Sequence, residues 1–523
     1  MGAAESSDYN NRSSLLDEYA QRDLLNQLRD LSAFQAIQQD TGEQEESEGT
    51  SSNSMSFGDV SDNRHYRVIR SNNDAIKKSY NELLVDTSIR AGTYSDSKCC
   101  HHNSLCTLLQ QRELGAQWRP CCDRRLYRNR SSGFSLGEKT GYSNKFLANS
   151  RHKLDAIRSK TFCAFHVPND QGIITASQDH KIRWYKSNSD DGYYLYKVID
   201  VPYVGWTILD VIVSPDGRDL VYSTWNDAMY QCALEGDVEN WLPLRVEAQE
   251  SRFALFSIRF NSSGTEIVAG STDRYMYIYD RESQRCVLSV NAHDDDVNAV
   301  SFVDQSSHLI LTGADDGLIK VWDRRTIGSS NRAEPVGIMA GHYDGVTYLD
   351  SRDDGRYFLS NSKDQSIKLW DLRHTASQTA VKNTLNSVQS QQWDYRYQRA
   401  PTEMNQELMD GDCSVLTMKG HSVLHTLVRA KFSPESTGKR YIYTGCATGN
   451  CVVYDIIDGK MKAKFGGHKS VVRDCSWHPE NNEIVTASWD GATSFWNYAS
   501  SLEKRTESAI LSPSKIVKKR KRR

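Results

Sequence analysis

A histidine, a hydroxyl residue and an aspartate recur together along this chain, the groups a hydrolase would use as base, nucleophile and orienting carboxylate. His293, Thr312 and Asp316 form one such set, and His342 with Asp364 and His468 with Asp490 repeat its outer members. An indole stands six residues after each aspartate, at Trp322, Trp370 and Trp496. One relay suffices for an enzyme, whereas a relay repeated at a near-constant period belongs to the architecture. The His, turn Asp, hydroxyl and Trp are therefore expected to form a buried hydrogen-bond chain within each repeat, and no catalytic residue is assigned.

The phrase that positions these groups is an Asp, six residues on an aromatic, then usually an acid. It reads Asp316 to Trp322-Asp323, Asp364 to Trp370-Asp371, Asp490 to Trp496-Asn497 and Asp273 to Tyr279-Asp280. Gly-His or Ala-His pairs at His293, His342, His421 and His468 stand upstream, completing the WD-repeat signature of a β-propeller. The aromatic position falls at Tyr185, Ala233 (reached through Asp227), Tyr279, Trp322, Trp370, Tyr454 and Trp496, in steps of 48, 46, 43, 48, 84 and 42. The doubled step contains Arg373 to Asp412, which lacks alternating apolar strands and is rich in Gln, Asn, Ser and Thr, so it reads as an insertion. The expected fold is all-β, a seven-bladed propeller over residues 145–500 with an insertion at 374–412.

Composition bounds the rest. The net charge of −3 conceals 13 acids against 3 bases in residues 1–62 and 9 bases against 2 acids in residues 502–523. The body between is near neutral, which argues against direct nucleic-acid binding. No apolar run is long enough to cross a membrane and no secretory signal begins the chain, so a soluble intracellular protein with no membrane partner is expected. Met1-Gly2-Ala3-Ala4-Glu5-Ser6 fits the loose pattern for lipidation of Gly2, too loosely to assign it. Twelve cysteines then imply reduced thiols. Cys99, Cys100, His101, His102, Cys106, Cys121 and Cys122 cluster, but adjacent Cys pairs suit tetrahedral zinc poorly, so neither metal nor cofactor is assigned.

Outside the ring, residues 1–62 read as an acidic, mostly disordered extension. Leu15, Leu16, Tyr19, Leu24, Leu25, Leu28, Leu31, Phe34 and Ile37 recur there at threes and fours, predicting an amphipathic helix at about 14–38. Residues 63–144 read as a partly helical, Cys-containing linker with a second helix over 103–115. Residues 501–523 form a basic disordered tail. Its end, Lys518, Lys519, Arg520, Lys521, Arg522 and Arg523, suits a nuclear-import receptor, which puts the protein in the nucleus with a cytoplasmic pool.

A propeller alone says only that a protein binds others. Two neighbouring repeats add a detail: Trp322-Asp323-Arg324-Arg325 and Trp370-Asp371-Leu372-Arg373 both read W-D-x-R, each closing a sixteen-residue box. The Arg follows a strand, so both guanidinium groups should emerge at one rim, free to meet a carboxylate or carbonyl. A third match, Trp393-Asp394-Tyr395-Arg396, lies in the insertion without a preceding box. The paired boxes resemble those of substrate receptors that dock on the DDB-one adaptor of cullin-four RING ubiquitin ligases. His293 to Val300, Asn361 to Asp364, Gln392 to Arg396 and Gly420 to Leu427, with segments of 103–115, are similar to one family of these, DDB-one and cullin-four associated factor eleven, also WD-repeat protein twenty-three.

The resemblance implies a non-catalytic receptor. Asp323, Arg325, Asp371 and Arg373 would face the adaptor, another surface or the axial opening would hold a degron, and bound proteins such as stress-response transcription factors would be ubiquitinated and degraded. The leading helix would also lie against the adaptor. The alternative is a nuclear WD-repeat scaffold for chromatin or RNA processing whose partners are not degraded.

Overall fold

The computed structural model describes residues 67–71, 73–91, 140–141, 143–168, 172–188, 192–236, 240–247, 253–327, 333–401 and 408–499. Their strands form seven sheets, six of four strands and one of five, so the repeat count and the seven-bladed propeller agree. In chain order the blades are 1 (Thr161–Asp200), 2 (Asp210–Arg245), 3 (Leu255–Asn291), 4 (Val297–Met339), 5 (Val346–Lys419), 6 (Ala430–Gly466) and 7 (Val472–Asn497). The fourth strand of blade 7 is Ser150–Ala156, which pairs antiparallel with Ala492–Asn497 and closes the ring. Even the degenerate second repeat is a true blade, its third strand running Ala228–Ala233.

Second and third strands such as Ile173–Ser177, Tyr357–Ser362 and Ser366–Asp371 are buried throughout, because both sheet faces lie against neighbouring blades. That is why they read as apolar or small-residue runs rather than alternating ones.

The repeated His sets are structural, as expected. In blade 4, His293 Nδ1 lies 2.8 Å from Asp316 Oδ2 and its Nε2 lies 2.8 Å from Thr312 Oγ1, which accepts from Trp322 Nε1 at 2.9 Å. Ser360 joins His342 to Trp370, with Asp364 on the far side of the imidazole, and Thr486 joins His468 to Trp496, with Asp490 beyond the ring. All three hydroxyl residues are fully buried, so no substrate can reach the hydroxyl. Burial opposes the Asp364 charge, but His342, Lys368 and Ser366 outweigh it and hold the carboxyl well below the usual range. Replacing Thr312 with valine leaves both His293 Nε2 and Trp322 Nε1 unpartnered. A loss of about 1–3 kcal/mol in urea unfolding is expected, and a midpoint equal to wild type would contradict the network's role.

The Gly-His pair at His421 belongs to a different arrangement. Blade 6 has Thr448 where the turn aspartate would stand, and His421 instead bonds Asn361 Oδ1 at 2.9 Å and Tyr454 Oη at 3.2 Å. Burial pushes its pKa down to about 4.

The first strands line the ring axis. Five of them carry a bulge at the second residue: Phe162, Phe256, Asn298, Thr347 and Arg473. A bulge frees that side chain from the pleat and re-aims it. Three of the five reach the next blade, where Asn298 Nδ2 donates to Val346 O at 2.9 Å, Thr347 Oγ1 to Val428 O at 3.1 Å and Arg473 Nη1 to Phe162 O at 2.7 Å.

Below the bulges a charge network crosses the axis. Arg429 beside blade 6 donates to Asp210 of blade 2 at 2.7 Å and to Asp474 of blade 7 at 3.2 Å. Arg259 of blade 3 also meets Asp210, and Lys431 meets Asp474. Burial works against both carboxylates. Arg429 for Asp210, and Lys431 with Arg429 for Asp474, keep them below the usual range. Because Arg429 joins Asp210 to Asp474 across the ring and all three are buried, the axial opening, one of the two places expected for a degron, is bridged at this height. The residues come from blades distant in sequence, so no periodicity announces them.

Asp350 also lies on an inner strand, accepting from Phe432 N at 2.7 Å, and burial pushes its carboxyl up to about 6 from 3.8. A raised folded value adds stability that is complete below the unfolded value and is lost as pH rises through the folded one. Asp350→Asn is therefore expected to raise the urea midpoint above wild type at pH 7.5, with the gain shrinking toward pH 4.5. An equal gain at both would show that charge is not the cause.

Two helices matter for the site. Helix α1 (Asp74–Arg90) begins at Asn73, whose side chain accepts from Ala75 N, and buries Ile76, Ser79, Tyr80, Leu83 and Thr87. This stripe enters the seam between blades 5 and 6, against Leu369, Ile442 and Tyr454. The strand before it, Arg67–Arg70, pairs with Leu416–Lys419 as the fifth strand of blade 5. This part of the stretch read as a linker is thus built into the ring. Ser79 and Thr87 interrupt the apolar stripe, which hides the helix from a periodicity reading. The helices expected at 14–38 and 103–115, the Cys/His cluster at 99–122, Gly2 and the basic tail lie outside the described residues.

Helix α2 (Gln378–Ser390) occupies the insertion, with Ala380 packed among Leu318 and Ile338 of blade 4 and Ala340 just after it. It passes close over Gly317, where a Cβ would come within 2.8 Å of Val388 and where φ is +76°. Among the described residues no helix is long and apolar enough to cross a membrane.

Candidate docking rim

Both W-D-x-R boxes end the third strand of their blade, Ile319–Asp323 in blade 4 and Ser366–Asp371 in blade 5, so both arginines emerge at the same rim of adjacent blades. Their side chains are 63% and 51% exposed. Neither guanidinium stands free, however. Arg325 Nε donates to Asp323 Oδ1 at 3.0 Å and Nη2 to Oδ2 at 2.7 Å, while Arg325 N donates to Oδ1 at 2.9 Å. Arg373 repeats the fork on Asp371, with Nε at 3.1 Å and Nη2 at 2.8 Å.

The fork is a property of the local phrase. Arg396 in the insertion closes on Asp394 in the same way, at 3.1 and 2.9 Å, at the opposite rim, where Tyr395 O accepts from His425 N at 2.8 Å. W-D-x-R is therefore a self-bonded turn in which the Asp side chain caps the backbone two residues on and orients the Arg. What distinguishes the two boxes is their placement side by side. The aromatic group of the insertion divides its duties: Tyr395 is pinned beneath Lys363, 4.5 Å from its ring, whereas Tyr397 stays exposed.

The boxes differ in what surrounds them. In blade 4, Asp323 is held down to about 2 by the side-chain and backbone hydrogen bonds of Arg325, and Arg324 turns away to Glu266 of blade 3 at 2.8 Å. In blade 5, Asp371 has no exposed surface, because Ser79 of α1 donates to it at 2.5 Å and Arg356 at 3.1 Å. This corrects the role expected for Asp371. It cannot touch a partner and instead positions Arg373, while Asp323, Arg325 and Arg373 remain at the surface.

Helix α1 supplies residues that the boxes did not reveal. Glu82 accepts from Arg373 Nη2 at 3.0 Å and from Arg356 Nη2 at 2.5 Å, fixing the second guanidinium from outside. Val85 and Ile89, three and seven residues further on, leave an apolar pair exposed beside it. Their spacing was legible, but only a recognised helix would have placed them on the rim. The arrangement offers two oriented, strongly charged forks and an apolar ridge, a surface suited to binding a protein.

Residues 284–323, 333–371 and 459–497 match the WD domain, G-beta repeat. Those stretches end in Trp322-Asp323, Trp370-Asp371 and Trp496-Asn497. The chain is 47% identical over 366 residues to the DDB1- and CUL4-associated factor 11 homolog of Caenorhabditis elegans, covering 68% of this chain and a little under two thirds, 64%, of that relative. The homolog of Caenorhabditis briggsae is 41% identical over 441 residues, 80% of this chain and 77% of its own length. The LEC14B protein of Lithospermum erythrorhizon is 40% identical over 357 residues, 66% of this chain and 74% of the relative. Seven blades, paired boxes at one rim and this depth of identity agree: the chain belongs to the DDB1- and CUL4-associated factor 11 family of WD-repeat proteins.

Proposed function

We propose that this protein is a non-catalytic substrate receptor that docks on the DDB1 adaptor of a CUL4 RING ligase and presents bound proteins for ubiquitination and degradation. The observation that carries the reading is the pair of exposed Arg-Asp forks at one rim of blades 4 and 5, in a chain whose relatives are named for DDB1 and CUL4. A receptor needs no nucleophile of its own. Holding a client lysine beside a charged conjugating enzyme raises its effective concentration without local chemistry. The clients we infer are degron-bearing proteins, stress-response transcription factors among them. Lys518 to Arg523 are read as the signal that a nuclear-import receptor takes up.

The test is affinity purification of the tagged full chain, with and without proteasome inhibition, read by quantitative mass spectrometry. DDB1 and CUL4 should be enriched in both samples and clients should accumulate under inhibition. Enrichment of nuclear assembly proteins without DDB1 would replace this reading with the scaffold.

A further inference from the structure

The rim opposite the forks, where third strands begin, carries an arc of aromatic rings around the mouth of the axis. Trp489 lies in a turn of blade 7, Phe162 starts blade 1, Trp206 follows blade 1, Trp225 lies in a turn of blade 2 and Phe256 starts blade 3. Successive ring centroids are 5.6, 6.0, 6.4 and 5.7 Å apart. Trp206 and Trp225 remain 41% and 43% exposed, large apolar surfaces at a point where solvent could have been met by polar groups.

Two of these rings stand at bulge positions. Where blades 4, 5 and 7 place Asn298, Thr347 and Arg473 to bond the next blade, blades 1 and 3 place Phe162 and Phe256, which cannot make that bond. Inter-blade hydrogen bonding is given up there for ring surface. The floor beneath is cationic: the Arg473 guanidinium lies 5.3 Å from the Phe162 ring, and the four cations Arg259, Arg429, Lys431 and Arg473 outnumber the three carboxylates Asp210, Asp474 and Asp350. Lys160 Nζ adds a cation at the edge, 4.1 Å from the Trp489 ring. Arg473 Nε and Trp489 Nε1 are buried donors with no acceptor among the described residues. Three acids on the flanking turns are already engaged, Asp179 by Arg183, Asp273 by Tyr277 and Asp490 by His468.

We propose that this bowl holds a peptide segment of a partner protein that places a carboxylate, from a side chain or a chain terminus, beside a large apolar side chain. The apolar group would cover Trp206 and Trp225, and the carboxylate would face Lys160 and the cationic floor. The proposal deepens the receptor reading and rests on it only in calling the partner a client. A basic peptide is the competing ligand, and Asp227, two residues after Trp225, is the acid it would use.

The test selects random peptides displayed on phage against the full-length protein, then measures the enriched sequence, as a labelled synthetic peptide, by fluorescence polarisation. Enriched peptides should share an Asp, Glu or C-terminal carboxylate next to Leu, Ile, Phe or Trp. Affinity should fall by about tenfold or more in the Trp206→Ala/Trp225→Ala double variant and about threefold or more in Lys160→Glu, and should hold in Asp227→Ala. Enrichment of Lys/Arg peptides that depend on Asp227, no enrichment at all, or full binding by the tryptophan variant overturns the proposal. DDB1 affinity measured on the same preparations separates the two readings. Peptide capture without adaptor binding would sink the receptor role and leave the bowl, while adaptor binding without peptide capture would do the reverse.

Discussion

Replacing Asp210 with alanine should destabilise the ring by about 3–5 kcal/mol, the usual cost of removing one partner from a buried ion pair. Asp210 has no exposed surface, and it accepts from Arg429 Nη2 at 2.7 Å, Arg259 Nη1 at 3.0 Å and Ile258 N at 3.1 Å. Its loss leaves two guanidinium groups short of a counter-charge and takes an acceptor from two backbone N–H groups, Ile258 and Val211, in a site that already holds more cations than anions. Urea unfolding followed by tryptophan fluorescence would report the shift. Asp210→Asn keeps an acceptor for Ile258 and should recover a minority of the loss, because charge is the larger part. Asp216→Ala, on an exposed turn, serves as the control and should leave the midpoint nearly unchanged. If Asp210→Ala unfolds like that control, the network does not bind the blades together.

The second large effect concerns the docking rim. Arg325→Glu combined with Arg373→Glu should weaken binding of purified DDB1 by at least about tenfold, or 1.4 kcal/mol, while the fold survives. Each reversal does two things. It removes a guanidinium from the rim, and it sets a glutamate against Asp323 in one box and against Asp371 and Glu82 in the other. The second box should therefore lose more, since its arginine is braced from two sides and the new charge would also push on α1. Arg325→Glu alone is the cleaner probe of contact, because no group outside its own box holds Arg325 among the described residues. Binding equal to wild type in the double variant would remove the forks from the adaptor surface and leave Val85 and Ile89 as the part of the rim to examine.

Much of this is legible in the sequence. The Asp-to-aromatic spacing marks six of the seven third strands, including Ala228–Ala233, whose repeat position is Ala233, while blade 6, with Thr448 in place of the Asp, is marked by Tyr454 alone. The His, hydroxyl, Asp and Trp sets were placed by residue type and spacing alone. Both arginines share one rim, as their place after the strand implies, but their engagement is not legible in the sequence: a fork between residues two apart depends on the turn that follows the strand. The burial of Asp371 under α1 depends on a residue 292 positions away, Ser79. The same limit hid the axial charges, since Asp210 and Arg429 are 219 residues apart and meet only when the ring is complete. Periodicity reports what each repeat shares, and the bowl and the axial charge network are made from positions where the repeats differ.

The closing sheet, in which Ser150–Ala156 pairs with Ala492–Asn497, sets a delay during synthesis. A nascent chain growing at about 5–20 residues per second exposes its first closing strand for roughly 20–70 s before the last one leaves the ribosome. Through that interval the early blades carry open flanks and the cations of the axis lack their distant counter-ions. Newly made protein should therefore lean on cellular chaperones, and truncation ahead of Ala492 should leave it permanently in that unfinished state.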